Sequence, residues 1–497
     1  MQELLIGWAE VDLTPQKKVG LAGQFAERIS EYVEKPITAT AMAVSNGTEQ
    51  MILVGCDLSS APANLVDAVR EKLAGNSVGI DPEKVILTAT HIHTGPVFPK
   101  KRRVASITNA KLLLKNYLTG DRKYVEKQNV SNNSDIFSAD EMFDFLIEKI
   151  TKVVLDAWEN KKESSFSNAF GRAPVGMCRR ASYTDGSAQM WGETNQAVFS
   201  AIEGGSDTGI ELLYVFGENG KLTGIVANLA CPAQCVQHRL FVSPDFWGEV
   251  KVLLRDRFGE DIFLLTLCSA AGDQCPVDLV RWVEPESDVN DPNINRKYPL
   301  KRKADPSMFD LKGMKLVGRR IAREIISVYE DGLDEPQKDI EFEHQVHIMK
   351  LPIRKATLSQ GLAAEKAIHD YLRDKEGDVD YNDAAKLQVH LGILSRLELQ
   401  NIQNVLDTEV HIVKLGTVAI ATNPFELFLD YGNQIKARSR AEQTFLIQLA
   451  CGADGYLPTE KAELGGHYSA FISSGLIGHE GGDLLVRNTL EGINGMF

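Results

Sequence analysis

The sequence predicts an α/β fold in which mixed β-sheets are flanked by helices. Apolar runs of strand length alternate along the chain with stretches of helical period, and 51–57 and 84–90 are predicted as buried strands. Residues 211–229 are typical of a β-hairpin that turns at 218–221. A hairpin within a β–α alternation favours mixed sheets over a purely parallel sheet.

The same periodicities predict the remaining elements. Helices are expected at about 65–73, 246–257, 314–329 and over much of 362–406, and further strands at 261–267, 417–422 and 444–449. We find no internal repeat and no low-complexity linker, so 1–497 is expected to form one large domain. The polar stretch of about 99–133 is predicted to be a surface insertion and a candidate lid. Its basic run at 100–103 is predicted to be a solvated face rather than an anion site.

Composition and charge restrict the class of protein. The 497 residues are 43% hydrophobic and 25% charged, and the formal net charge is −14. An acidic surface repels nucleic-acid phosphates and anionic lipids, so neither is an expected partner. No apolar stretch approaches the roughly 20 residues of a membrane helix, and the first residues lack the basic region of a signal peptide. Seven cysteines, several in apolar runs, suit reduced thiols. These features predict a cytoplasmic protein and leave its oligomeric state open.

Two histidines follow the predicted strand 84–90. In Thr-His-Ile-His-Thr-Gly-Pro, His91 and His93 are two residues apart, which places both side chains on one side of an extended chain. Paired imidazoles where a strand ends suit a metal ligand beside a proton-transfer group. A surface histidine beside a buried structural one accounts for the motif equally well.

Two cysteine-containing turns also follow apolar strands. In the turn 269–276, small residues allow a close backbone approach, and Cys275 is either a nucleophile or an incidental thiol. The segment 228–238 contains Cys231, Cys235 and His238, whose residue types bind metals although their spacing is not that of a standard zinc knuckle.

Three further candidates lie in the last quarter of the chain. Glu426 follows a predicted strand and is expected at the start of a helix, where it is either a first-turn carboxylate or a ligand. Tyr456 lies in a Gly-Tyr-Leu-Pro-Thr segment, and Tyr468 follows it.

Taken together and in order, these segments resemble the neutral/alkaline, non-lysosomal ceramidase family over essentially the whole chain. The segment 7–15 is similar to the family's opening Gly-x-x-x-x-Asp-Ile-Thr, and 54–58 to its Val-Ser-Ala-Asp-Leu strand. The segment 90–96 resembles Thr-His-Thr-His-Ser-Gly-Pro, and 455–456 resembles the Gly-Tyr of Gly-Tyr-Val-Thr-Thr. The resemblance implies that 1–497 is a catalytic domain without the family's C-terminal immunoglobulin-like domain.

The resemblance also implies a site with one zinc ion per chain. The metal ligands that it implies are His91, Glu426, Tyr456 and the residue at the family's His-Pro position, which here is Cys231. His93 and Tyr468 are implied to contact the scissile carbonyl, and Arg179 to match an arginine of the family's Asn-Arg-Ser segment.

The chain departs from the family at two of these positions. Cys231 stands where the family has its second histidine ligand. Three alternatives follow: its thiolate binds zinc, His238 supplies the imidazole, or the site is weak or empty. Cys275 stands where the family has a serine, and it is expected to hydrogen-bond near the cleaved bond.

The function implied is hydrolysis of an amide (N-acyl) bond by zinc-activated water, with His93 as the proton-transfer group. The expected partner is a small-molecule N-acyl substrate, either a soluble compound such as an acylated amino sugar or a ceramide of sphingolipid metabolism. Two alternatives stay open: a silent binding protein for a sugar- or lipid-like ligand, and a hydrolase that uses Cys275 as nucleophile with His93 as base.

Overall fold

The computed structural model describes residues 3–24, 27–75, 78–101, 110–125, 135–281 and 309–497. Of the insertion predicted at about 99–133, residues 102–109 and 126–134 lie outside this set. The described part is not a purely polar insertion, because it contains a helix whose Leu113 and Leu114 are buried.

The described residues form strands and helices that alternate along the chain. The strands are β1 (Leu5–Asp12), β2 (Lys18–Val19), β3 (Tyr32–Val33), β4 (Thr38–Ser45), β5 (Gln50–Cys56), β6 (Val85–Ala89), β7 (Ile136–Phe137), β8 (Lys162–Arg172), β9 (Met177–Cys178), β10 (Arg180–Tyr183), β11 (Ala188–Met190), β12 (Phe199–Ile202), β13 (Gly209–Gly217), β14 (Leu222–Leu229), β15 (Phe241–Val242), β16 (Phe263–Cys268), β17 (Gln274–Cys275), β18 (Phe342–Pro352), β19 (Val405–Leu415), β20 (Val418–Thr422), β21 (Glu426–Leu427), β22 (Gln443–Ile447) and β23 (Tyr456–Leu457). The helices are α1 (Ala63–Ala74), α2 (Ala110–Asn116), α3 (Ala139–Glu159), α4 (Phe246–Phe258), α5 (Asp310–Asp331), α6 (Leu358–Asp374), α7 (Tyr381–Leu399), α8 (Leu429–Arg438), α9 (Glu460–Gly465) and α10 (His479–Met496).

The largest sheet has eight strands in the order β16-β14-β13-β8-β1-β4-β5-β6. The outer pairs β14–β16 and β5–β6 are parallel, and the pairs between them are antiparallel. The hairpin predicted at 211–229 is formed by β13 and β14. These pairings confirm a mixed α/β architecture.

A second sheet, β18-β19-β20-β22, positions the C-terminal half of the site. Its apolar face packs against α8 and α10 in a core that includes Leu351, Ile412 and Leu446. The larger core lies between the eight-stranded sheet and α1, α3, α4 and α5. The site lies in loops that follow strands of both sheets.

The helical region predicted over much of 362–406 differs from the structure, which has two helices and a break. The break contains Gly377 at φ 73, and Asp380 then caps α7 by accepting hydrogen bonds from the backbone N–H groups of Asn382 and Asp383. A cap of this kind starts a new helix, and periodicity alone does not reveal it. α6 and α7 pack with α2 in a separate apolar cluster around Ile368 and Leu391.

Two predictions about composition can be compared with the structure. All seven cysteines are buried free thiols in the structure. Within the described ranges, every helix is too short or too polar to cross a membrane.

Candidate active site

His91 lies in the turn after β6, with its backbone in the left-handed region at φ 63. This turn, rather than strand alternation, directs its ring, because β6 already ends at Ala89. The ring Nδ1 is 2.7 Å from the carbonyl oxygen of Ser59. An Nδ1–H that donates to this carbonyl leaves the Nε2 lone pair free to bind a metal, and it fixes the orientation of the ring.

His93 faces His91 across an edge-to-face contact. Their Nε2 atoms are 3.3 Å apart, and the ring planes are at 88°. Burial lowers the pKa of His93 well below its usual value, and the neighbouring His91 and the cations of Arg179, Arg28 and Lys100 lower it further. His93 is therefore neutral near pH 7 and able to accept a proton.

Glu426 and Tyr456 are brought together by a short parallel pair of strands. They are direct partners in the register of β21 with β23, so their side chains leave the pair side by side. Glu426 Oε2 is 3.4 Å from His91 Nε2. The prediction that Glu426 starts a helix was wrong, since it lies in β21 and α8 begins only at Leu429.

The ionisation of this pair depends on what surrounds it. Burial would raise the pKa of Glu426, but its contacts with His91 and Tyr456 and the charge of Arg179 hold it below the usual value. Burial and the charge of Glu426 raise the pKa of Tyr456 well above 10. In this structure the pair is thus an ionised carboxylate beside a neutral phenol.

Arg179 and Tyr468 complete the contacts of the Tyr456 phenol. The Tyr456 hydroxyl is 3.2 Å from the Tyr468 hydroxyl, and Arg179 Nη2 donates to it over 3.4 Å. The same Nη2 donates to the Gly272 carbonyl, which holds the buried guanidinium in place. Burial lowers the pKa of Arg179, but the neighbouring Tyr456 and Cys275 raise it by more. The net shift is upward, so the cation is retained.

Cys231 and Cys275, the two cysteines that the resemblance assigns to the site, lie outside this set of contacts. The Cys231 thiol donates to the Val175 carbonyl over 3.4 Å. Among the described residues, it does not join His91 and Glu426 in a group of donor atoms all within 4.8 Å of one another. The thiol of Cys275 is wholly buried, and burial raises its pKa to about 12.

His238, the alternative source of an imidazole, lies between β14 and β15 and packs against the start of α5. Its Nε2 is 3.4 Å from Asp310 Oδ1, and its ring stacks on Phe309. The structure therefore brings His91, His93, Glu426, Tyr456, Tyr468 and Arg179 together, and it does not bring Cys231, Cys275 or His238 into contact with His91.

Arg180 is a supporting residue that the sequence did not single out. Its guanidinium is fully buried, pairs with Glu203, and donates to the backbone carbonyls of Tyr468 and Gly466. It thereby holds the loop that contains Tyr468. The sequence offers no signal that separates Arg180 from its neighbour Arg179.

A second cluster of possible metal ligands was also missed. One donor atom each from Glu409, His411 and Cys451 lies within 4.8 Å of the other two, and all three residues are buried. Glu409 and His411 alternate on β19 and so point to one side, which is the local signal that was available. The Arg70 guanidinium donates to both oxygens of Glu409, at 3.1 and 2.7 Å.

A cavity of about 250 Å³ opens onto the site. Its lining consists of Gly23, Gln24, Ser59, Ser60, His91, His93, Lys100, Glu426, Leu449, Ala453, Gly455, Tyr456 and Tyr468. Most of these side chains are polar, and imidazole, carboxylate and phenol groups share one small space.

Comparisons with known proteins identify the fold. No protein-family model matches the chain, and neither does any curated protein. Among solved structures, the chain is similar to the neutral ceramidase from Pseudomonas aeruginosa, with a TM-score of 0.68 at 15% identity, covering all of this chain and 75% of that one. It is also similar to a structure of ceramidase complexed with C2, with a TM-score of 0.65 at 14% identity and the same coverage. The chain therefore has a neutral ceramidase-like fold.

Proposed function

From this neutral ceramidase-like fold, we propose that the chain is a metal-dependent hydrolase that cleaves the amide bond of small N-acyl compounds. The observation that carries the proposal is the convergence of His91 Nε2 and Glu426 Oε2, 3.4 Å apart, beside the Tyr456 phenol in a pocket. Ceramidases, the class that both similar structures are named for, hydrolyse an amide. The fold supports the reaction type, whereas the pocket must decide the substrate.

The donor atoms fit a zinc ion. Zinc binds imidazole nitrogen and carboxylate oxygen at about 2.0–2.2 Å, so two ligands of a tetrahedral ion lie roughly 3.3–3.5 Å apart. The separation of 3.4 Å between His91 and Glu426 matches this value. Tyr456 would be the third ligand, and three protein ligands leave the open position that catalytic zinc sites keep. Cys231 is not part of this proposed set.

In the proposed reaction, a bound metal supplies Lewis acidity and lowers the pKa of the attacking water. His93 accepts the proton of the water at Nε2, the nitrogen that faces His91, and returns it to the leaving nitrogen. The Tyr468 hydroxyl donates a hydrogen bond to the carbonyl oxygen of the substrate as negative charge develops on that oxygen. Arg179 orients the phenol of Tyr456 and keeps positive charge next to it.

The test is turnover of a panel of N-acyl amines, from acetylated amino sugars and N-acyl amino acids to a short-chain ceramide, followed by amine release. We expect a chelator to abolish hydrolysis, zinc to restore it, and Glu426→Gln to abolish it. The matched control is Cys231→Ser, which should retain activity because its thiol contacts Val175 instead.

Two other results would favour the alternatives. Turnover that resists the chelator but is lost on alkylation would favour a Cys275 nucleophile. Tight binding of a ligand with no turnover of any panel member, with zinc present, would favour a binding protein and overturn the proposal.

A further inference from the structure

Three cations lie at or beside the pocket, although the chain as a whole is acidic. The protein has a formal net charge of −14, yet Arg28, Arg179 and Lys100 all act on the buried ring of His93. Among the described residues that line the pocket, Glu426 is the one acid. Cations at a cleft with low-dielectric walls produce a strong local positive potential, which attracts an anionic ligand.

Lys100 is the cation at the mouth of this pocket. It is exposed, and its Nζ donates to the hydroxyl of Ser59 over 2.9 Å and lies 5.7 Å from the ring centre of Phe98. The backbone carbonyl of the same Ser59 accepts from His91 Nδ1. One residue therefore connects the ammonium group at the mouth to the imidazole at the base.

Two polar atoms of residues that line the pocket lack a partner. The hydroxyl of Ser60, which is 5% exposed, and Nδ1 of His93 have no hydrogen-bond partner among the described residues. Both atoms are buried, and a buried polar group without a partner is costly.

We propose that Lys100 binds a carboxylate on the substrate, so that the preferred substrates are short N-acyl amino acids rather than neutral N-acyl lipids. The inference rests on the proposed function for the amide that is cleaved, and adds the substrate class. An N-acyl α-amino acid has its carboxylate one carbon from the amide nitrogen, which suits an ammonium group that contacts the same residue, Ser59, as His91 does.

The size of the pocket agrees with this substrate class. The cavity of about 250 Å³ is smaller than the roughly 300–1,000 Å³ typical of sites for drug-sized ligands. A short acyl chain and an amino acid fit such a volume, whereas the two long chains of a ceramide do not.

The test compares a matched pair of probes, N-acetylglycine and its neutral amide N-acetylglycinamide, by calorimetric binding and by amine release. We expect the acid to bind up to about five-fold more tightly than the amide, the upper range for one exposed ion pair. Lys100→Gln should remove this preference and Lys100→Arg should retain it. Added salt should reduce it, because an exposed charge is screened.

The control is Lys152→Gln, which removes the same charge from an exposed lysine that pairs with Asp156 on α3. It should leave the preference unchanged. Equal binding of the two probes to the wild type, or an undiminished preference in Lys100→Gln, would overturn this inference even if amides are hydrolysed. A Lys100-dependent preference without any hydrolysis would instead retain the carboxylate subsite and overturn the proposed function.

Discussion

Replacement of Arg180 by Met tests whether a buried ion pair holds the loop of Tyr468. The side chain of Arg180 is fully buried and that of Glu203 is 6% exposed, and Arg180 Nη2 lies 3.1 Å from Glu203 Oε1. The other donors of the guanidinium reach the carbonyls of Tyr468, Ala462 and Gly466. Met fills much of the same volume but leaves the Glu203 carboxylate buried without its cation.

The expected cost follows from that geometry. Removal of one partner of a buried pair costs about 3–5 kcal/mol of unfolding free energy, because the remaining charge is desolvated and unpaired. Most of the cost comes from Glu203, so Arg180→Met combined with Glu203→Gln should regain part of it. At an exposed pair, Arg281→Met should cost no more than about 1 kcal/mol, since water solvates the remaining Asp278.

Urea unfolding followed by circular dichroism measures the four free energies: the wild type, Arg180→Met, the double variant and Arg281→Met. Turnover of an N-acyl substrate by Arg180→Met should also fall, because the backbone of Tyr468 loses its anchor. A loss of stability below about 1 kcal/mol in Arg180→Met would refute the reasoning. So would a double variant that is no more stable than the single one.

Three further predictions concern other buried positions. In Gly475→Ala the new Cβ would lie 1.9 Å from the carbonyl oxygen of Tyr456, so zinc uptake should fall. The control Gly205→Ala has open space around its Cβ and should bind zinc normally. Equal zinc uptake by the two variants would contradict the argument from packing. Burial raises the pKa of Asp245 to about 6. Its contribution to stability is therefore present at low pH and is lost as pH rises from about 4 through 6, and relative to Asp245→Asn the wild type should lose about 2 kcal/mol between about pH 4.5 and about pH 7.5 in urea unfolding. Parallel pH profiles would contradict this. Iodoacetamide should leave Cys275 unmodified in the folded protein and modify it in urea, by peptide mass spectrometry, because burial raises its thiol pKa to about 12; rapid loss of activity with labelling at this position would contradict it.

The sequence predicted the strands that are buried and apolar, but not mixed strands such as β8 and β18, whose residues alternate irregularly between buried and exposed. Residues 51–57 and the hairpin at 211–229 matched strands of the structure. The sequence did not predict the break between α6 and α7, because the helical spacing of apolar residues continues on both sides of Gly377 and Asp380. A cap depends on a few hydrogen bonds, which periodicity does not register.

The site was harder to derive because its geometry depends on long-range pairing. Glu426 and Tyr456 are thirty positions apart and meet only through the two-residue pairing of β21 with β23. No local pattern specifies that register, so the resemblance to a family had to supply the pair. The resemblance could not locate Cys231, whose side chain turns to Val175. Cys451 is forty positions from His411 along the chain, so no local pattern revealed the cluster of Glu409, His411 and Cys451 either.

The central claim is that a metal ion is held at His91, Glu426 and Tyr456. Elemental mass spectrometry of protein purified without chelator tests it most directly. We expect about one zinc per chain in the wild type and in Cys231→Ser, and little in His91→Gln or Glu426→Gln. Wild-type protein without zinc that also fails to take it up would contradict the claim. So would zinc that survives His91→Gln and is lost in Cys451→Ser, because the metal would then lie with Glu409 and His411.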